Sequence, residues 1–220
     1  QGIISPGEIG YDINCSVRIL KTNLTQKDLE KKKKDAIEAL FRAVPSGVGK
    51  GTKVKIEKKE VVEILQKGAR WAVEQGYGKK DDLKKTENHG EMKEADANEI
   101  SERSIERGMH QLGSLGSGNH FLELQYVDKI FHKKAAKVFG LSDGQIMVMI
   151  HCGSRGLGHQ VASDFLKLME QEYGSQHLPD RELIHAPLHS TLGKKYWKAM
   201  NAAANFAFCN KQIITHWVRE

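Results

Sequence analysis

The sequence predicts an α+β fold in which mixed sheets carry long helical insertions. Three observations lead there. Apolar or alternating runs in "IGYDINCSVRI", "FLEL" and "QIMVMIHC" have the composition and spacing of strands. The stretches between them keep helical spacing, but over lengths too long and irregular for a repeating strand–helix unit. No G-x-G-x-x-G opens such a unit, and no internal repeat is present.

Taken in order, "ISPGEIGYDINCSVRIL" starts with a Pro-Gly turn and continues as an extended, strand-like segment. Thr25 is the predicted N-cap of a helix that places Leu29, Ile37, Leu40, Phe41 and Val44 on one face, with the lysines of 31–34 on a solvated face. "PSGVGKGTK" is a Gly-rich loop without P-loop spacing. A second helix is expected over 57–75, with Val61, Val62, Leu65, Ala69 and Ala72 inward, followed by an exposed polar loop, "GYGKKDDLKKTENHGEM". Residues 97–110 read as helical and lead through a Gly-Ser loop into a strand at Phe121. "KAAKVFG" is a short helix capped by Gly140. The strand "QIMVMIHC" runs into a second Gly-rich loop and a helix over 158–173. "LPDRELIHAPLHSTLG" reads as loop, and 194–218 as a long Ala-rich helix.

Composition narrows the function classes. With 220 residues, 39% hydrophobic and 28% charged, the chain can bury a substantial core. No apolar run approaches the roughly 18–20 residues that span a bilayer, and no signal-peptide pattern opens the chain. Three cysteines without paired spacing argue against a disulfide framework and for a reducing compartment, the cytoplasm. The net charge of +6 favours a polyanionic partner such as nucleic acid. Opening on Gln1 and closing within a helical pattern, the sequence is expected to be a piece of a longer chain.

Four residues carry candidate chemistry. Asp12 and Cys15 stand three apart in the first extended segment. His120 stands where a Gly-rich loop enters a strand, and His151 where a strand enters another such loop. Taken singly, each histidine reads as a satisfied core or surface group and Cys15 as a small buried hydrophobe, as do Cys152 and Cys209. His89, His110, His132, His177 and His216 lie in polar or helical contexts and are not candidates. Together the four offer a carboxylate, a thiolate and two imidazoles, a donor set suited to Mn²⁺ or Zn²⁺. They come from three separate segments, so the residues alone leave both readings open.

The motifs "SPGEIGYDINCSVR", "FRAVPSGVG", "QLGSLGSGNHFLELQ", "MIHCGSRGLGHQV" and "NAAANFAFCN" occur in that order. Their succession resembles that of the RtcB family of RNA-splicing ligases, over residues 2–211. The resemblance implies an incomplete RtcB-like fold in which 1–220 are part of a single catalytic domain, truncated at both ends. It implies a ligase of RNA repair or tRNA splicing that joins 2′,3′-cyclic phosphate or 3′-phosphate ends to 5′-hydroxyl ends, with GTP and two Mn²⁺ ions. On it, Asp12, Cys15, His120 and His151 match metal ligands, and Cys15 matches the thiolate between the two cations. Asn119 and Glu123, with His120, match residues around the guanylate, and Arg155 matches an arginine that contacts RNA phosphate. A small activating protein, archease, often accompanies the family.

Departures bound that expectation. The family's guanylylated histidine, in H-G-A-G-R, has no counterpart in the sequence and is expected beyond the C-terminus; His185 and His189 lie in a different motif. The isolated chain is therefore expected to be inactive. Glu8 and Ser16 replace glycines, which would strain the backbone if either position required positive φ, and Cys152 replaces a serine and adds a thiol beside His151. Two other classes remain: a metal-dependent phosphoesterase that opens RNA cyclic phosphates, and a non-catalytic RNA-binding remnant.

Overall fold

The computed structural model describes residues 2–47 and 51–220. In chain order the elements are β1 (Ile3–Ile4), α1 (Pro6–Ile9), β2 (Ser16–Thr25), α2 (Gln26–Leu29), α3 (Lys33–Ala43), α4 (Lys58–Lys67), α5 (Ala69–Glu74), α6 (Lys80–Lys84), α7 (Glu102–Met109), β3 (Phe121–Tyr126), α8 (Lys133–Phe139), β4 (Gln145–Cys152), α9 (Arg155–Tyr173), β5 (Ala186–Pro187) and α10 (Thr191–Arg219). The fold is α+β, as the sequence predicts. An antiparallel sheet has the order β2–β4–β3, and β1 pairs with β5 in a two-residue ladder. None of the described helices is long and apolar enough to cross a membrane.

The core is built around α10. Its Tyr196, Ala199, Ala203, Phe206 and Ile213 are fully buried and pack with Val61, Ile64 and Leu65 of α4, Trp71 of α5, and Leu157 and Met169 of α9. The helix buries polar groups as well. Asn205 donates to Leu65 O (2.9 Å) and accepts from Met92 N (2.6 Å). Gln212 accepts from Arg18 (2.9 Å) and donates to Tyr77 O (3.1 Å). Loops that would otherwise bury unsatisfied backbone groups are thus bonded to α10 side chains.

In the sheet, Ser16 pairs with Cys152, Val17 with His151 and Ile19 with Met149; across β4, Phe121 pairs with His151 and Glu123 with Met149. Side chains alternate between the two faces. Val148, Ile150 and Cys152 face the core, where Ile150 and Cys152 join Val44 and Ile214. The opposite face carries His151 and leaves Val17 and Ile19 about half exposed (53% and 51%).

Several boundaries differ from the sequence reading. The Asp12–Cys15 stretch is a turn, and the strand starts at Ser16. The expected first helix is two, α2 and α3, and the lysines of 31–34 lie at their junction and the start of α3. Ile37 and Phe41 of α3 are 52% and 76% exposed, because only the end of α3, at Val44, reaches the core. The helix over 57–75 breaks at Gly68, whose φ of 57° ends α4 while it caps α5. The polar segment after Gly76 contains α6 and a 3₁₀ turn at Glu87–Gly90. Residues 97–110 form a 3₁₀ turn and α7, while α9 starts three residues earlier than expected. The expected loop around 178–193 holds a 3₁₀ turn and β5, and part of the "PSGVGKGTK" loop lies outside the described residues.

Candidate metal centre

Asp12 and Cys15 project to the same side because they are the first and last residues of a β-turn. Cys15 N donates to Asp12 O (2.9 Å), and Asn14 turns the chain with φ 56°. Asparagine tolerates this region better than most residues, and here its amide donates to Ala204 O on α10 (3.1 Å). From behind, Lys211 of α10 donates to Asn14 O (2.8 Å) and Ser16 Oγ (2.6 Å).

The Asp12 carboxylate joins two elements. Its Oδ1 accepts from Arg155 N (2.8 Å) and Ser154 Oγ (3.2 Å), at the N-terminus of α9. An anion is favoured there by the unpaired amides and the helix dipole. Gly153 permits the approach, since a Cβ on it would stand 2.5 Å from the carboxylate. Arg155 has φ 60°, an unfavourable value for its type, at the point where its amide meets Asp12. Asp12 Oδ2 faces His120 Nε2 at 2.7 Å.

The two imidazoles share one arrangement. His120 Nδ1 donates to Leu115 O (2.8 Å) and His151 Nδ1 to Asn119 O (3.0 Å). A carbonyl only accepts, so Nδ1 carries the proton in both rings and the Nε2 atoms are turned to the site. They lie 3.4 Å and 3.2 Å from Cys15 Sγ. The ring centroids are 5.6 Å apart, and Phe121 packs on His151 at 5.0 Å. Donor atoms of Asp12, Cys15 and His120 lie within 4.8 Å of one another, and His151 joins them across the sulfur. Carboxylate, thiol and Nε2 groups converging with their other atoms bonded to backbone form a donor set that fits divalent cations.

Charge balance at the site follows from these contacts. Burial raises the Asp12 carboxyl, but bonds to His120, Cys15 and the Arg155 amide outweigh it and leave the pKa below the usual value. Burial, with the carboxylate beside it, pushes the Cys15 thiol up to about 12. The bond to Asp12, followed by Cys152, raises His120 to about 10.

The remaining candidates are arranged differently. Asn119 is exposed and contributes its carbonyl to His151. Glu123 is exposed on the sheet face that carries His151 and accepts from Gln125 Nε2 (2.7 Å). Arg155 is turned inward: it donates to Gly47 O (3.3 Å), stands 3.5 Å from His120 Nδ1, and its Nε has no partner among the described residues. Cys152 does not join Cys15. It faces the core, its sulfur 3.0 Å from Leu115 O and 3.1 Å from Asn210 Nδ2, because successive strand residues point to opposite faces. Glu8 lies in α1 and Ser16 in β2, neither at positive φ, so these two replacements cause no backbone strain.

Asn14, Ser154, Asn210 and Lys211 were not singled out by the sequence reading. Asn210 accepts from Gly113 N (2.7 Å) and Ser114 N (3.2 Å) and donates to Gly153 O (3.2 Å), fixing both loops around the site. The signal available in the sequence was an Asn-Lys-Gln run inside an otherwise apolar, Ala-rich helix.

Comparison with known proteins shows the family. The family model described as tRNA-splicing ligase RtcB matches residues 1–220. A Methanococcus maripaludis protein named tRNA-splicing ligase RtcB is 53% identical over 222 residues, covering 100% of this chain and 46% of its own length. Its namesake in Thermococcus kodakarensis is 52% identical over 223 residues, with the same shares. That of Pyrococcus furiosus is 54% identical over 210 residues, 94% of this chain and 22% of its own length. The chain thus spans about half the length of the first two relatives and less of the third. With its whole length matched by the family model, the chain belongs to the RtcB family.

Proposed function

We propose that these residues are part of the single catalytic domain of a cytoplasmic RNA ligase. It joins RNA ends bearing a 2′,3′-cyclic phosphate or 3′-phosphate to 5′-hydroxyl ends, using GTP and two Mn²⁺ ions. The observation that carries the reading is the convergence of Asp12, Cys15 and both Nε2 atoms, each imidazole held by a backbone carbonyl. The relatives' name, tRNA-splicing ligase RtcB, supports RNA as the substrate class.

In this reading Asp12, Cys15, His120 and His151 would hold the two cations, with Cys15 as the thiolate common to both. Bound cations supply neutralisation of phosphoryl oxygens as charge builds at phosphorus. The protein's own part is positional. Asp12 is fixed by the start of α9, and the carbonyls of Leu115 and Asn119 hold the two rings in one tautomer. Asn119, His120 and Glu123 border the guanylate, and Arg155, whose guanidinium is turned inward here, would swing out from Gly47 O to contact RNA phosphate. The half-exposed Val17 and Ile19 on the sheet face beside His151 support the single-domain reading, because further chain of a ligase would cover them. The isolated 220 residues, without an H-G-A-G-R histidine, bind metal without sealing RNA. Archease is the accompanying protein in the same proposal.

The test is RNA sealing by a chain that joins these residues to the remainder its relatives possess. Expected is ligation that needs both Mn²⁺ and GTP and disappears with Cys15→Ala. Opening of a cyclic phosphate without GTP would support the phosphoesterase instead, and salt-sensitive RNA binding indifferent to metal would support the remnant.

A further inference from the structure

Lys211 is 2% exposed, in the middle of α10. Burying an ammonium is costly unless it is well bonded, and the partners here are specific. Besides Asn14 O and Ser16 Oγ, Nζ donates to Cys152 O and Asn14 Oδ1, both at 3.3 Å. Ser16 and Cys152 face each other at the end of the β2–β4 ladder. Cys15 immediately precedes the first of them, and His151 immediately precedes the second. One ammonium therefore ties together the two strand ends from which a thiol and an imidazole project.

The charge has a further meaning. All the bonded partners of Lys211 among the described residues are neutral. A buried cation without a bonded carboxylate needs negative charge nearby, and the turn above it carries the Asp12 carboxylate and the Cys15 sulfur. Phe208, on the same helix, faces Nζ with its ring centroid at 5.8 Å and offers only a weak cation–π contribution.

We propose that Lys211 is the positioning residue of the metal centre: its ammonium fixes the Asp12–Cys15 turn against the end of β4 and supplies the countercharge that makes an anionic carboxylate–thiolate pair tolerable there. The inference rests on the metal reading of that site. It assigns the function of holding the cation's ligands to a helix that contributes no ligand itself.

Cobalt(II) titration of the 220-residue chain separates the two ideas. The parent is expected to give a sulfur-to-cobalt charge-transfer band that Cys15→Ala abolishes; absence of that band in the parent would refute the metal reading itself. Lys211→Met, with the parent's circular dichroism, is expected to bind cobalt about 10- to 100-fold more weakly, with the band shifted or lost. Lys211→Gln, which keeps donors but removes the charge, should fall between parent and Lys211→Met. Asn205→Ala, on the same helix but bonded to other loops, should lower the melting temperature and leave cobalt affinity unchanged. A folded Lys211→Met with parental affinity and band would overturn the proposal. Should Lys211→Met fail to fold, parental affinity in Lys211→Gln would overturn it equally.

Discussion

Cation binding by this chain should be steeply dependent on pH, and the slope is fixed by two protons. In the metal-free site, His120 donates from both nitrogens, to Leu115 O and to Asp12, and so holds its second proton up to about pH 10. Cys15 keeps its thiol proton up to about 12. A cation needs the Nε2 lone pair and the thiolate, so below pH 10 each binding event at Asp12, Cys15 and His120 releases both protons. The apparent association constant then rises by up to about a hundredfold per pH unit between pH 7 and 9, flattened where the Lys211 amine, which burial lowers to about 8, takes up a proton as the thiolate forms. Cys15→Ala leaves one proton to displace and about a tenfold rise per unit. Asp12→Asn removes the larger of the two influences that raise His120, Cys152 being the other, so its slope should fall below the parent's. Cobalt titrations at constant ionic strength across this window give the slope, and calorimetry in buffers of different ionisation enthalpy counts the protons. A parental slope near zero, or a Cys15→Ala slope equal to the parent's, would refute the reasoning.

Stability of the metal-free chain should show the same group. The folded state holds the His120 proton more tightly than the unfolded chain, so this contribution is complete below pH 6.5 and is lost as pH rises through about 10. Melting temperatures measured across that range should fall, and fall less in Asp12→Asn. Asn210→Ala should cost about 2–4 kcal/mol in urea unfolding, because it orphans the buried amides of Gly113 and Ser114 and leaves a cavity. Ile19→Lys, on the half-exposed sheet face, should change the stability of this chain by no more than about 0.5 kcal/mol. In a longer ligase chain the same change should cost several times as much if that face is covered.

Where sequence and structure agree, the signal was local. The alternation in "FLEL", the apolar run of β4, the Gly140 cap and the Ala-rich pattern of α10 each depend on neighbouring residues, and all four elements formed. The Asp12–Cys15 turn was misread because Tyr11, Asp12, Ile13 and Asn14 alternate apolar and polar, as a strand would. Asn14 is held in the left-handed region by the neighbouring Ser16 hydroxyl and by contacts from α10, nearly 200 residues away in sequence. The exposure of Ile37 and Phe41 was equally hidden, since amphipathic spacing does not reveal whether a partner surface is present. At the site, residue types named the four donors and the resemblance grouped them. The bonds that orient them were not legible, because they run to backbone carbonyls and amides, which every residue possesses.

The pairing of Ser16 with Cys152 has a consequence for how this chain tolerates change. A strand has two faces and no intermediate position, so sliding β4 by one residue against its neighbours would exchange the two sulfur- and nitrogen-bearing side chains at its end. His151 would turn into the apolar layer beside Ile214, and Cys152 would emerge opposite Cys15. A single-residue insertion or deletion within Gln145–Cys152 would leave the overall composition almost unchanged and every other motif intact. It would nevertheless replace an imidazole by a second thiol, and a centre suited to harder cations by one suited to softer ones.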